Sequence, residues 1–315
     1  MRTPQPEPVR PGLSLTENFD VDLAVHHTAA DGSQVQLVRY VYHPWEPQLE
    51  SPRPYFHPIR TLGGNLVSLY RPHDHVWHKG IAYSLPNVGE ENFWGGVTYV
   101  RDQGYQQLDN NGAMVHTGFT SRDHEDDRIR AREELRWVTQ AGAEIVCEER
   151  DFTIRLLDDT AWVLEWGTRF TNISEQTFPM GSPTTHGREM AGYGGLFWRG
   201  PRSFTGGKVY ADGHSAGDED LMGIDATWMA YVGQHDEIGG ASTVAFVDQT
   251  PEPRHGGRSW FVRTQPFAVI SPSPFFFDEV DFAPKQTFSY RYSVIIADGE
   301  RQPSEIAELV ASLDR

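Results

Sequence analysis

The sequence predicts an all-β protein, a large β-sandwich with a short C-terminal helix. Three observations carry this. Several long segments alternate apolar and polar residues with a period of two. The chain is rich in turn formers, with 30 glycines and 21 prolines. Helical spacing is convincing only near the C-terminus. Aromatic residues make up 12% of the chain, and large rings pack well on the pleated faces of broad sheets.

The elements follow in order. "QVQLVRYVY" and "NLVSLY" read as strands early in the chain. From Arg128 to Trp137, Arg128, Arg130, Arg132, Glu134 and Arg136 oppose Ile129, Ala131, Leu135 and Trp137. That is a strand with one solvated face, and Glu133 breaks its apolar side. "EIVCEERDFTIRLL" predicts the next strand. In "AWVLEWGTRFTN", Trp162, Leu164, Trp166 and Phe170 share one parity while Glu165 and Arg169 take the other. "TVAFVDQ" and "SWFVRT" add shorter strands. "TFSYRYSVII" sets Phe288, Tyr290, Tyr292, Val294 and Ile296 against Thr287, Ser289, Arg291 and Ser293. At the end, Ser304 can cap a helix over "EIAELVASL", whose Ile306, Leu309, Val310 and Leu313 form one stripe. With no repeat or internal linker, residues 14–315 are expected to form a single domain after a loose proline-rich tail, residues 1–13.

Charge narrows the partners. With 44 acidic and 27 basic side chains the net charge is −17, so nucleic acid and anionic membrane surfaces are repelled and neither is expected as a partner. The N-terminus has no signal-peptide core, and no apolar run approaches the length of a spanning helix. Cys147 is the only cysteine, which excludes an internal disulfide and fits a reducing, cytoplasmic setting. The oligomeric state is not specified.

Polar residues concentrate in three non-periodic segments. "YFHPIRTLGGNLVSLYRPHDHVWHKG" holds His57, Arg60, Arg71, His73, Asp74, His75 and His78. "LPNVGEENFWGG" and "MVHTGF" add Asn92, Trp94 and His116, and "PTTHGREMAGYGGLFWRGP" adds His186, Arg188, Glu189, Tyr193 and Arg199. Histidines at short spacing are common zinc ligands, so His73, His75 and His78 are one candidate divalent-metal set, although no recognised zinc signature completes it. The alternative is acid/base chemistry without a cofactor, because histidine exchanges protons near neutral pH and Asp74 can fix a tautomer. Arginines then hold a carboxylate or an enolate through forked hydrogen bonds. No nucleophile elbow and no nucleotide-binding glycine pattern is present.

At "RPYFHPIRT", "DHVWHKG", "NVGEENFWGG" and "GREMAGYGG" the chain resembles a bacterial family of unknown function called PmoA-like, or methane oxygenase A, over nearly its whole length from Val35 to Gly299. The oxygenase label does not suit a chain without spanning segments. A wider resemblance is to the galactose-mutarotase-like supersandwich of aldose epimerases, polysaccharide lyases and several glycoside hydrolases. "WVLEWGTRFTNISEQTFPMGSPTTHG" resembles the epimerase strand ending in Thr171 and Asn172, which implies that His186 stands at the catalytic acid histidine. "FVRTQPFAVISPSPFFFDEVDF" resembles their C-terminal region, and there Arg263 replaces the glutamate base. A guanidinium does not accept protons at physiological pH, so plain mutarotation is not expected.

Together these features lead us to expect a carbohydrate-processing enzyme, a lyase or hydrolase acting on a sugar or oxidised glycoside. His75, His78 and His186 are the expected acid/base groups and Arg263 a charge stabiliser. His57, Arg60, Arg71, Asn92, Trp94, His116, Arg188 and Tyr193 are expected to bind the substrate. A metal-dependent hydrolase using His73, His75 and His78, and a non-catalytic carbohydrate-binding or sensor protein, remain as alternatives.

Overall fold

A computed structural model of the chain describes residues 11–214 and 218–314. Among them two antiparallel eight-stranded sheets face each other. The first contains β1 (Gly12–Asn18), β2 (Asp22–Thr28), β3 (Gln34–Val41), β4 (Tyr55–Ile59), β5 (Ile81–Ser84), β14 (Gly195–Arg199), β18 (Trp260–Arg263) and β19 (Val269–Pro272), in the order β1-β2-β3-β4-β5-β14-β19-β18. The second contains β9 (Ala113–Glu125), β10 (Arg128–Val138), β11 (Glu144–Leu156), β12 (Ala161–Asn172), β15 (Lys208–Ala211), β16 (Trp228–Gln234), β17 (Ala241–Asp248) and β21 (Thr287–Asp298), in the order β15-β16-β17-β21-β12-β11-β10-β9. Short strands β6 (Asn87–Val88), β13 (Phe178–Gly181) and β20 (Val280–Phe282) make a three-stranded sheet, and β7 (Thr98–Val100) and β8 (Gly104–Gln106) a hairpin. Most of the expected tail, residues 1–10, lies outside the described residues, and Leu13 already belongs to β1 and to the core.

The period-two segments supply the interior. Trp162, Leu164, Trp166 and Phe170 of β12 and Phe288, Tyr290, Tyr292, Val294 and Ile296 of β21 all enter the main core between the sheets. Glu133 points the same way and is buried. It persists there because the Tyr40 hydroxyl bonds one carboxylate oxygen and His116 Nδ1 lies 2.5 Å from the other. A buried charge without such partners would cost several kcal/mol. His116, expected at a substrate, is thus committed to the interior of the second sheet.

"NLVSLY" is not a strand. Its backbone bridges two strands, with Val67 N–H bonded to the Ile59 carbonyl and Leu69 N–H to that of Arg199. Alternating partners leave only the isolated bridges Arg60–Leu66 and Tyr70–Lys79.

Two α-helices occur among the described residues, α1 (Asp218–Leu221) and α2 (Pro303–Ala311). The cap of α2 is Gln302, not Ser304, because Pro303 suits the first helical position and Gln302 forms a reciprocal box with Glu305. Ile306 is fully buried, and Leu309, Val310 and Leu313 pack beside it on the outer face of the second sheet, against Val163, Ala245 and Ile295.

Parity also decides where the functional surface forms. In the first sheet Trp198, Trp260, Val262 and Ile270 face the core, while their neighbours Phe197, Phe261 and Val269 face outward and join Trp94 and Phe276 in a separate apolar cluster. Long loops cover this outer face.

Because Ile306 is the buried anchor of α2, Ile306→Ala should lower unfolding stability by about 2–5 kcal/mol, whereas Glu308→Ala, on the exposed side, should change it little. Urea denaturation of the two variants checks this.

Candidate functional site

The histidine segment is a loop closed at its base by the Tyr70–Lys79 bridge. Two successive turns shape it, with His75 N–H bonded to the Pro72 carbonyl and His78 N–H to that of His75. Gly80 follows at φ 64°. A Cβ there would lie 2.3 Å from the Phe56 carbonyl oxygen, so only glycine fits. Behind the loop, the buried Lys79 ammonium bonds Glu50, and Arg71 reaches the same carboxylate at 2.6 and 2.9 Å. Arg53 donates to the Trp77 carbonyl at 2.7 Å. Arg71 therefore anchors the loop and is not part of the cleft lining.

At the loop's tip the histidines take different roles. His75 Nδ1 lies 2.9 Å from Asp74 Oδ2. Asp74 also accepts from Arg202 at 2.7 Å and lies 3.5 Å from Arg199. Burial works against its charge, but hydrogen bonds from His75 and Arg202 and the Arg199 charge outweigh it and hold the carboxyl well below the usual range. An ionised Asp74 accepts the Nδ1 proton of His75, which in the neutral ring puts the lone pair on Nε2.

His78 stacks on His75 with ring centres 4.9 Å apart and is buried. Its Nδ1 lies 3.1 Å from an Arg199 amino group. A guanidinium only donates, so this nitrogen is the acceptor and the ring proton sits on Nε2. Desolvation first, then the neighbouring His75 and Arg199, push His78 well below the ordinary histidine range. Among the expected acid/base groups, His78 is thus a neutral ring that donates through Nε2.

Arg199 is the residue whose importance sequence reasoning missed. It is fully buried, stacks 3.8 Å over the Phe267 ring, and is brought down to about 10, chiefly by desolvation. The available signal was its place at the end of the apolar run "GLFWR", where an arginine must find partners.

Trp94 enters from a turn that Asn92 builds. Asn92 Oδ1 accepts the N–H groups of Trp94 and Gly95 at 2.8 and 2.9 Å. A Cβ on Gly96 would lie 2.6 Å from the Trp77 ring, so that glycine makes room for a second indole. Asn92 is buried, shapes the wall and is not itself part of the cleft lining.

These parts enclose a cleft of about 270 Å³ on the outer face of β14 and β18. His75, His78, Arg188 and Arg263 carry its charged and imidazole groups. Trp77, Trp94, Phe197, Phe261 and Phe267 form apolar walls, and Tyr105 and Tyr193 join them with hydroxyls 3.0 Å apart. The Tyr105 hydroxyl also accepts a hydrogen bond from Arg188. Tyr105, on the β7–β8 hairpin, was not foreseen; nothing in "QGYQQ" marks it. Among the described residues no Asp or Glu lines the cleft.

Six of the expected residues thus meet: His75, His78, Trp94, Arg188, Tyr193 and Arg263. The others do not. His186 lies 3.4 Å from the Glu279 carboxylate and is not part of the cleft wall. His57 Nδ1 pairs with the Ser68 hydroxyl and its ring stacks on Tyr70. Arg60 offers its carbonyl to the Trp162 indole N–H in the sandwich. His73 accepts from Arg202 at 3.1 Å. The proposed set of His73, His75 and His78 does not converge, since each Nδ1 turns to a different arginine or carboxylate, and among the described residues no three His, Cys, Asp or Glu side chains could hold a metal ion. No helix among the described residues is long and apolar enough to cross a membrane.

The chain belongs to DUF6807, a family of unknown function whose pattern matches residues 27–311. That match shows no link to the PmoA-like family expected from the motifs. None of the curated proteins matches the chain. Similar solved structures include an α-galactosidase from Lactobacillus brevis, at 11% identity and TM-score 0.39 over 91% of this chain and 39% of that one. A heparan sulfate lyase HepC mutant from Pedobacter heparinus gives 6% and 0.34 over 93% and 36%. A galactose mutarotase related enzyme from Lactobacillus acidophilus gives 11% and 0.33 over 92% and 99%. The chain therefore spans less than half the length of the galactosidase and the lyase. At such identities chemistry has to be read from the site.

The buried histidines make stability sensitive to acid. His57 is held down to about 4 by burial, with the Arg60 and Arg39 charges adding to it. The unfolded chain takes up this proton near pH 6.5, so between about 6.5 and 4 it binds more protons than the native state. Stability is complete above that window and falls as pH drops through it, by on the order of 3 kcal/mol for this group. Urea unfolding between pH 7 and pH 4 should show a shallower loss for His57→Asn than for the native protein.

Proposed function

We propose that the protein is a carbohydrate-processing lyase that removes a proton beside a carboxylate on an oxidised sugar. The observation that carries this is the Asp74–His75 pair opening onto an aromatic-walled cleft that holds Arg188 and Arg263. Aromatic faces suit the apolar faces of a sugar ring. Arginines bind a carboxylate in a fork and stabilise the enolate that forms when the adjacent C–H is broken. His75 Nε2 takes that proton. The electron pair then forms the double bond as the C–O bond to the leaving group breaks, and the His75 imidazolium returns the proton to the departing oxygen. Neutral His78 donates a hydrogen bond through Nε2. Chemistry of this kind calls for no cofactor.

The hydrolase reading has less support from the same lining. Most glycoside hydrolases work with a pair of carboxyl groups flanking the scissile bond, and no Asp or Glu lines this cleft among the described residues.

Incubation with uronic-acid glycosides should yield an unsaturated product, followed by the ultraviolet absorbance of its conjugated double bond. His75→Ala should lower kcat by at least roughly 10²-fold with little change in substrate affinity. Unchanged turnover in that variant, or simple hydrolysis with no double bond, would sink the proposal.

A further inference from the structure

A second hollow of about 450 Å³ adjoins the cleft, lined by Glu189, Met190, Met222, Thr264 and Gln265 and sharing Arg263 with it. Two backbone segments run along both spaces. Arg188 faces the cleft and the next residue, Glu189, faces the hollow; on β18 Phe261 lines the cleft and Arg263 lines both. The cleft alone is at the small end for a ligand pocket, and the two together are of ordinary size.

From this juxtaposition we propose that the hollow is a second sugar subsite, so that the ligand has two units joined at Arg263: an acidic unit in the aromatic cleft and a neutral, hydroxyl-rich unit beside Glu189. This rests on the lyase reading and specifies its substrate class. Charge sets the orientation. The cleft presents two arginines and no carboxylate among the described residues, whereas a carboxylate in the hollow would meet Glu189. Thr264, Gln265 and Glu189 provide donors and acceptors suited to hydroxyl groups. Met190 and Met222 provide adaptable apolar contact, which tolerates different neutral sugars. In the elimination the neutral unit is the leaving group, and its oxygen departs next to Arg263.

Calorimetric titration of the His75→Ala protein separates binding from turnover. The probes are glucuronate and galacturonate, the same uronates carrying a neutral hexose on O4, and the corresponding diuronates. The hexosyl uronates should bind at least tenfold more tightly than the free uronates. Adding Met190→Trp, on an exposed loop position, should remove that advantage and leave binding of the free uronates unchanged. The diuronates should bind more weakly than the hexosyl uronates, and Glu189→Gln should narrow that gap at least threefold. Equal binding of free and hexosyl uronates would overturn the second subsite and leave the acidic cleft intact. Failure of every uronate to bind would overturn both.

Discussion

The site depends on one buried guanidinium. Arg199 ends β14 in an apolar setting, with one amino group 3.1 Å from His78 Nδ1 and the other 3.5 Å from Asp74. Its charge has few alternatives, since it is out of water and its Nε has no partner. Whatever faces it must be an acceptor. That constraint places the His78 ring proton on Nε2, and it adds to the hydrogen bonds from His75 and Arg202 that keep Asp74 ionised and to the desolvation that keeps His78 neutral. Through Asp74 it also makes His75 the residue with a free lone pair. Two stacked histidines of equal intrinsic basicity thereby become a base and a donor, the pattern by which paired titratable groups acquire separate roles.

Holding Arg199 and its partners still requires a rigid support, which comes from the other side of the loop. Glu50 is shared by Lys79 and Arg71, and Arg53 ties down the Trp77 carbonyl. Burying such charges is costly, and an apolar replacement of the same shape could be as stable. What the ions add is directional: a forked arginine fixes the loop's position to within a hydrogen bond, whereas apolar packing alone permits sliding. Burial lowers Lys79 to about 8, with its two carboxylates opposing the shift, so at neutral pH it still carries the charge the cluster needs. The Glu133 network in the second sheet has the same logic at a distance from the cleft.

The fold was legible because period-two patterning is a local consequence of one face being buried, and β10, β12 and β21 display it, with Glu133 the one acidic break on the apolar side of β10. "NLVSLY" misled because its apolar, β-prone composition suits a strand while its backbone is divided between two strands, which composition cannot reveal. Among site residues, His75, His78, Trp94, Arg188 and Tyr193 were found because non-periodic polar segments in a β protein are loops that share one end or face, and Arg263 through the resemblance to the epimerases' C-terminal region. Arg71 and His116 come from the same kinds of segment and turn into ion pairs, His57 pairs with Ser68, and Arg60 is not part of the cleft wall. Direction across a loop depends on tertiary partners such as Glu50, Ser68 and Glu133, far off in sequence or unremarkable within it. His186 was drawn in by resemblance, and its pairing with Glu279 keeps it out of the cleft wall.

Location on the outside of the sandwich explains the balance of the lining. A cleft between the sheets would have taken its walls from the apolar core and had no room for loops bearing charge. On the outer face, β14 and β18 contribute every second side chain, Phe197, Phe261 and Arg263, and leave the alternate ones, Trp198, Trp260 and Val262, to hold the sandwich together. The floor is consequently as rigid as the core beneath it, while His75, Trp94 and Arg188 arrive on loops. Aromatic walls displace water, and charges within them interact more strongly than at an open surface. In the proposed elimination a carboxylate entering this space would meet arginines already held on the cleft wall, and the enolate would need little further reorganisation.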